Sequence, residues 1–360
     1  MNTWGYALRL SIFGESHGKA VGVVVDGLPA GEVVDVDALA RDMARRAPGR
    51  DAFSTDRRET DAVEILSGLH EGRTTGAPVC GVICNQDARS GDYGQALRPG
   101  HADWTALLKY RGHADMRGGG HFSGRLTAPL VFAGALARQT LARRGVRVHA
   151  KIAAIGGVAD AEIPCTPDAY GAAAALAFPV SDAAAAAAMQ QRIRDARADG
   201  DSVGGVVEAA AFGLPGGLGE PFFASVESTL AALLFSVPAV KGVEFGGGFR
   251  LADMRGSEAN DALCVRDGRI AAVSNHNGGL LGGITNGMPV VVRAAVKPTP
   301  SIARAQQTVD AAGVQTALSV RGRHDPCIVP RAVPVVEACL ALCALDAWLT
   351  AGRGAERGEG

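Results

Sequence analysis

LTAPLVFAGALARQTLARR, Leu126 to Arg144, is nineteen residues of mostly helix-forming, apolar character. Pro129 falls in its first turn, where a missing N–H costs nothing, and Gly145 stands just past its end, so the stretch reads as a long buried helix. What flanks it reads differently. Val21 to Gly27 and Ala77 to Cys84 are short apolar runs rich in β-branched residues, which predicts strands. Between them Val36 to Arg46 has a helical pattern, with Asp37 available near its start.

The second half repeats the style. Ser181 or Asp182 can cap a helix that runs through six alanines, Ala183 to Ala188, toward Gly200. Strands are predicted at Val203 to Ala211 and Gly287 to Val296, and a final helix at Val333 to Leu349. No linker rich in proline, serine or charge divides the halves. The expectation is one α+β domain over residues 1–350, with Ala351 to Gly360 as a disordered tail.

Composition bounds the function. Among 360 residues, 36 Lys+Arg stand against 37 Asp+Glu, so no global field attracts nucleic acid or a membrane surface. The amino terminus is polar, and no run reaches the roughly 20 uninterrupted apolar residues of a spanning helix, which points to the cytoplasm. The seven cysteines include no C-x-x-C pair and read as core thiols, so neither a disulfide framework nor a metal site is expected.

Chemistry concentrates in three clusters: Gly14-Glu-Ser-His-Gly18, Arg98-Pro-Gly-His-Ala-Asp103 and Arg323-His-Asp-Pro326. The first formally matches the G-x-S-x-G elbow of α/β-hydrolases, but only fifteen residues precede Ser16, too few for the strands that come before such an elbow. Tyr6 to Phe13 reads as a single strand that leaves His17 at its end, facing a cleft. His101 occupies a second glycine-flanked turn beside Arg98. Arginines also cluster at Arg45, Arg46, Arg50, Arg57 and Arg58, and Arg125 stands beside the start of the Leu126 helix. Guanidinium forks pair bidentately with carboxylate and phosphate, so these groups point to a polyanionic small molecule. Three glycine runs, at 118–120, 246–248 and 278–283, read as turns or as places where backbone approaches a ligand; none forms a dinucleotide fingerprint or a P-loop.

These residues together resemble the chorismate synthase family. The resemblance runs from about Gly5 to Trp348 through Phe13 to Gly18, Val63 to Gly68, Arg98 to Asp103, Arg117 to Gly120, Lys241 to Glu244, Leu281 to Ile284, Lys297-Pro298 and Gly322 to Cys327. It implies a β-α-β sandwich, a homotetramer, and an elimination of phosphate from 5-enolpyruvylshikimate 3-phosphate that yields chorismate. Reduced FMN would serve without net redox change, supplied by an external flavin reductase or reduced with NADPH. By the resemblance His17, His101 and Asp325 are catalytic, and Ser16, Arg46, Arg50, Arg98, Arg125 and Arg323 bind the substrate. The cofactor falls to His121, Phe122, Ser123, Ala239, Gly282, Lys297, Pro298, Thr299, Pro300, Ser301 and Arg323. Two segments depart from the family pattern. His121 to Thr127 keeps its second arginine, Arg125, but has Leu126 where glutamate is common, and Ala52-Phe53 replaces an Arg-Tyr pair, with Arg50 two positions earlier. A serine hydrolase using Ser16 and a non-catalytic flavin-binding protein remain the rival functions at this point.

Overall fold

The computed structural model describes residues 2–49, 60–86, 96–266, 268–320 and 325–355. Two antiparallel five-stranded sheets enclose a layer of helices. The first contains β1 (Thr3–Trp4), β2 (Arg9–Gly14), β3 (Ala20–Asp26), β4 (Glu64–Ser67) and β7 (Val79–Cys84), in the order β1-β2-β3-β7-β4. A short ladder of β5 (Leu69–His70) and β6 (Arg73–Thr74) leads into β7. The second contains β8 (Arg147–Ile155), β9 (Val158–Ala159), β10 (Gly205–Phe212), β11 (Val240–Phe245) and β16 (Val290–Val296), in the order β11-β16-β10-β8-β9. Hairpins β12 (Leu263–Arg266)/β13 (Arg269–Ala272), β14 (Leu280–Leu281)/β15 (Ile284–Thr285) and β17 (Gln306–Val309)/β18 (Gln315–Leu318) decorate the second half.

Helices α3 (Thr127–Ala142) and α8 (Val329–Ala355) fill the space between the sheets. α3 packs on β3 and β7, while α8 packs on β8, β10 and β16. α1 (Val36–Arg46) leans on both helices, and α6 (Val226–Ser236) joins α8 to β11. The remaining helices, α2 (Asp103–Tyr110), α4 (Pro167–Ala174), α5 (Ala183–Ala198) and α7 (Gly256–Ala259), lie outside this layer. The fold is therefore the β-α-β sandwich that the family resemblance implied.

Sequence pattern explains the layers. Val21, Val23 and Val25 alternate on the buried face of β3, and Val290, Val292, Ala294 and Val296 do the same on β16. Helix α3 is apolar all round because it has a partner on every side. Gly134 is where α3 crosses α8: a Cβ there would run into Ala338. Asp346 of α8 is 2% exposed and accepts from the backbone N–H groups of Ala7 at 2.7 Å and Leu8 at 2.8 Å, which ties the first strands to the central helix.

Several boundaries differ from the sequence reading. Asp35, not Asp37, caps α1, accepting from Ala38 N at 2.8 Å. Of the two cap candidates offered for α5, Asp182 is the one used, as the reading allowed. A 3-10 turn over Gly124–Leu126, capped by Ser123, precedes α3. α8 starts at Val329, four residues before the predicted Val333, with Pro330 in its first turn, where the missing N–H costs nothing, and Pro334 inside it. It also continues through Ala355 into the segment read as a tail, and 356–360 lie outside the described residues. Val329–Gly352 is 24 residues long and holds an 18-residue window of mean hydropathy 1.8, enough by length and composition to cross a membrane, although Arg331, Glu337 and Asp346 interrupt its apolar run. Its apolar window is 83% buried inside the protein, which accounts for the composition.

Candidate active site

A cavity of about 790 Å³ opens where α3 and α8 begin, between the turns at the ends of both sheets. Its size is that of a small-molecule site. The 14–18 segment is the loop joining β2 to β3, a hairpin rather than a strand-to-helix elbow. Ser16 N donates to Gly120 O at 3.0 Å, and Asn85 Nδ2 donates to the carbonyls of Glu15 at 3.0 Å and Gly18 at 2.9 Å. Clamped in this way, the loop presents His17 to the cavity. Ser16 is fully buried behind the wall, and its hydroxyl has no hydrogen-bond partner among the described residues. Neither the hairpin nor the burial suits a hydrolase nucleophile.

Gly118, Gly119 and Gly120 separate the two histidines. All have positive φ, at 61°, 90° and 53°. A Cβ on Gly118 would enter the His17 ring, and one on Gly119 would come within 3.2 Å of the His101 ring. Only glycine permits both the backbone conformation and the close approach.

Each set of arginines is organised by a buried carboxylate. Arg46 Nη1 donates to Asp61 at 2.6 Å, its Nη2 to Gly124 O at 2.9 Å and its Nε to Thr127 Oγ1 at 3.2 Å. Arg125 donates to the other oxygen of Asp61 and, through Nε, to Asn85 Oδ1 at 3.0 Å. Burial pulls the Arg46 pKa down to about 10 against the attraction of Asp61, so it is charged at neutral pH. Burial pushes the Asp61 carboxyl up, and the two arginines overcome this and hold it below the usual range. Among the described residues, this one carboxylate holds two guanidinium groups together at the cavity wall.

Around the second centre, Asp103 takes Arg98 Nε at 2.8 Å and Nη2 at 2.7 Å, and lies 2.7 Å from His101 Nδ1. On α8, Arg331 donates to Asp325 at 2.5 Å and to Arg46 O at 3.1 Å. The opposite wall is backbone and aliphatic: Val237 to Val240, Thr299 to Ser301, Ile328, Ala332 and Val335. Ala239 there has φ +74°, a strained conformation for alanine, and its carbonyl accepts from Lys297 N at 2.9 Å. Lys297 Nζ donates to Gly100 O at 2.5 Å, joining this wall to the His101 turn.

Among the described residues, Arg46, Arg98, Arg125, Lys241, Lys297 and Arg331 line the cavity against one lining carboxylate, Asp325. Of the residues expected from the sequence, His17, His101, Asp325, Arg46, Arg98, Arg125, His121, Phe122, Ser123, Ala239, Lys297, Thr299, Pro300 and Ser301 line this one space. Three do not. Ser16 lies behind the wall. Pro298 is absent from the lining, although its neighbours on both sides are present. Gly282 sits in the tight β14/β15 turn, φ +62°, away from the cavity of its own chain; the turn accounts for its glycine. Arg50 and Arg323 lie outside the described residues. His121 also has a structural tie, donating from Nδ1 to Gly14 O at 2.8 Å. Arg45, counted with the anion-binding arginines in the sequence, turns elsewhere, to Glu337 at 2.5 Å, and Arg117, at the head of the glycine triplet, pairs with Asp115 at 2.7 Å.

The sequence reading missed Asp61, Asn85 and Arg331, and gave no site role to Lys241, which begins one of the quoted motifs. Asp103 lay inside a quoted cluster, two residues from His101, and that spacing was the available signal. Asp61 and Arg331 meet their partners only through tertiary packing.

A cationic cavity holding three imidazoles and a carboxylate beside an aliphatic wall defines an enzyme acting on a small anionic metabolite. A family model described as chorismate synthase matches residues 8–349, and the chain belongs to that family. It is 50% identical over 346 residues to the chorismate synthase of Thermococcus kodakarensis, covering 95% of this chain and 96% of that one. It is 49% identical over 356 residues to that of Archaeoglobus fulgidus, covering 98% of each. A crystal structure of chorismate synthase superposes with TM-score 0.76 at 28% identity, covering 96% of this chain and 93% of that one.

Proposed function

We propose that this enzyme is a carbon–oxygen lyase that removes phosphate and a hydrogen from 5-enolpyruvylshikimate 3-phosphate in a 1,4-anti elimination, giving chorismate. The observation that carries the reading is the pairing, in one cavity, of a net-cationic wall with an aliphatic one. The first suits a phosphate and two carboxylates, the second a flat flavin ring.

Reduced FMN, when bound, supplies an electron as phosphate departs and recovers it, with no net redox change. The residues present fit that group. Thr299 Oγ1, in the segment expected to hold the cofactor, is buried without a partner among the described residues. Lys297 offers a cation, and Ala239 to Val240 a close aliphatic surface. Phe122 and Ser123 border the same space, with Pro300 and Ser301 across it.

Arg46 and Arg125, held side by side by Asp61, grip the phosphate. Arg98 holds a carboxylate, and Arg331, already against Asp325, extends the cationic wall. His17 holds a proton toward the departing phosphate oxygen, and His101, on the other side of the glycine triplet, holds one toward the flavin, keeping it in the protonation state that donates best. Asp325 is the base on the α8 side. We place the enzyme in the cytoplasm as one catalytic domain over residues 1–350, assembled as a homotetramer. Exposed aromatics support that assembly: Phe222, Phe223 and Phe249 are 84%, 95% and 82% exposed in the single chain.

Fluorescence titration with oxidised FMN tests the shared cavity. Binding should be weak alone and at least about tenfold tighter with substrate present, a coupling of about 1.4 kcal/mol. Equal affinity with and without substrate would favour a flavin-binding protein without this reaction.

A further inference from the structure

We infer that Asp103 is the positioning residue of His101, fixing the tautomer and aim of that imidazole while anchoring Arg98. The inference rests on the His101 role proposed above. Asp103 begins α2 and is 8% exposed. Its Oδ2 accepts from Arg98 N at 2.9 Å and Nε at 2.8 Å, whereas Oδ1 accepts from Arg98 Nη2 at 2.7 Å and lies 2.7 Å from His101 Nδ1.

Burial pushes this carboxyl up, but its bonds to Arg98 and His101 hold it well below the usual range, so it is ionised and acts only as an acceptor. The proton on His101 must then sit on Nδ1. That leaves Nε2 directed at the glycine triplet, where a Cβ on Gly119 would come within 3.2 Å of it. Nε2 is the ring atom that can exchange a proton within the cavity. Since Arg98 holds the same carboxylate from three donors, the carboxylate cannot rotate away without breaking the Arg98 bonds. One side chain thus couples a substrate-binding arginine to the orientation of a proton-handling histidine. A buried aspartate behind a catalytic imidazole plays the same part in hydrolytic triads, where changing it to asparagine leaves the wrong tautomer in place.

Protein labelled with 15N-histidine gives the direct readout, with His101→Ala assigning the resonance. The expected spectrum has the proton on Nδ1 of His101; an Nε2–H tautomer with bare Nδ1 would overturn the inference, whether or not any Asp103 variant folds. Kinetics supply the second arm. Asp103→Asn should lower kcat about 10- to 100-fold, the usual range for a group that orients another. In a His101→Ala background the same change should lower kcat by no more than about twofold, because the two act as a unit. A full loss in that background would make Asp103 an anchor of Arg98 alone. Unchanged turnover in His101→Ala by itself would remove the His101 role, and the inference with it.

Discussion

Asp61 and Asp103 are both buried carboxylates that organise cations around one cavity, yet they do opposite electrostatic work. Among the described residues, Asp61 faces two guanidinium groups, one positive charge more than it offsets. Asp103 faces one guanidinium and one imidazole, so its centre is balanced until the histidine takes a second proton. The first arrangement attracts an anion. The second holds a proton donor in place without adding field. A pocket built only on the first plan would bind substrate and do little to it, whereas one built only on the second would handle protons without a grip on phosphate.

Breaking the Asp61 centre should have the largest effect. Asp61→Ala strands Arg46 and Arg125 as uncompensated buried charges, and should cost about 3–5 kcal/mol of stability by denaturant unfolding. If the midpoint does not move, the two arginines do not depend on Asp61. Next come the imidazoles: His17→Ala and His101→Ala should each lower turnover about 10²- to 10⁴-fold while calorimetric substrate affinity stays nearly constant. A loss confined to affinity would make them binding groups instead. Gly118→Ala should follow, costing about 1–3 kcal/mol of strain at φ +61° and displacing the His17 ring. Wild-type stability and turnover in that variant would mean that the triplet does not set the spacing.

Acid sharpens the comparison further. Both carboxylates have folded-state values below their unfolded value of about 3.9, so their stabilisation is complete above that pH and is lost as pH falls toward the folded values. Urea unfolding between pH 6 and pH 3 should therefore show a shallower loss of stability in Asp103→Asn than in wild type; parallel curves would contradict the ionised state assigned to it. Smallest of all is Arg117→Ala. Its exposed pair with Asp115 lies outside the cavity, and turnover should change by less than about twofold.

Local order was legible in the sequence, and so was much of the site. Val21, Val23 and Val25 announced a strand by alternation, and Leu126 to Arg144 a buried helix by its length and end signals, which the structure forms over Thr127–Ala142. His17, His101 and Asp325 stood out because each lies among glycine and arginine, and the structure brings them to one space. The α1 cap was misread by two residues, since Asp35 and Asp37 are equally good caps until the chain direction before the helix is known. Glycine was ambiguous in kind: Gly118 serves a close approach, Gly282 a turn, and both read alike in the sequence. Asp61, Asn85 and Arg331 were invisible for a third reason. Their partners, Arg125, Glu15 and Arg46, come from other elements, and no local period records such a meeting.

The most direct test of the account is turnover under anaerobic conditions. Purified protein would be supplied with dithionite-reduced FMN and 5-enolpyruvylshikimate 3-phosphate, with chorismate absorbance and phosphate release followed together, then repeated with NADPH in place of dithionite. The account predicts chorismate and phosphate in equal amounts with dithionite, and the NADPH run shows whether the protein reduces its own flavin or takes it from an external reductase. Folded protein that binds reduced FMN and substrate yet releases no phosphate would contradict it.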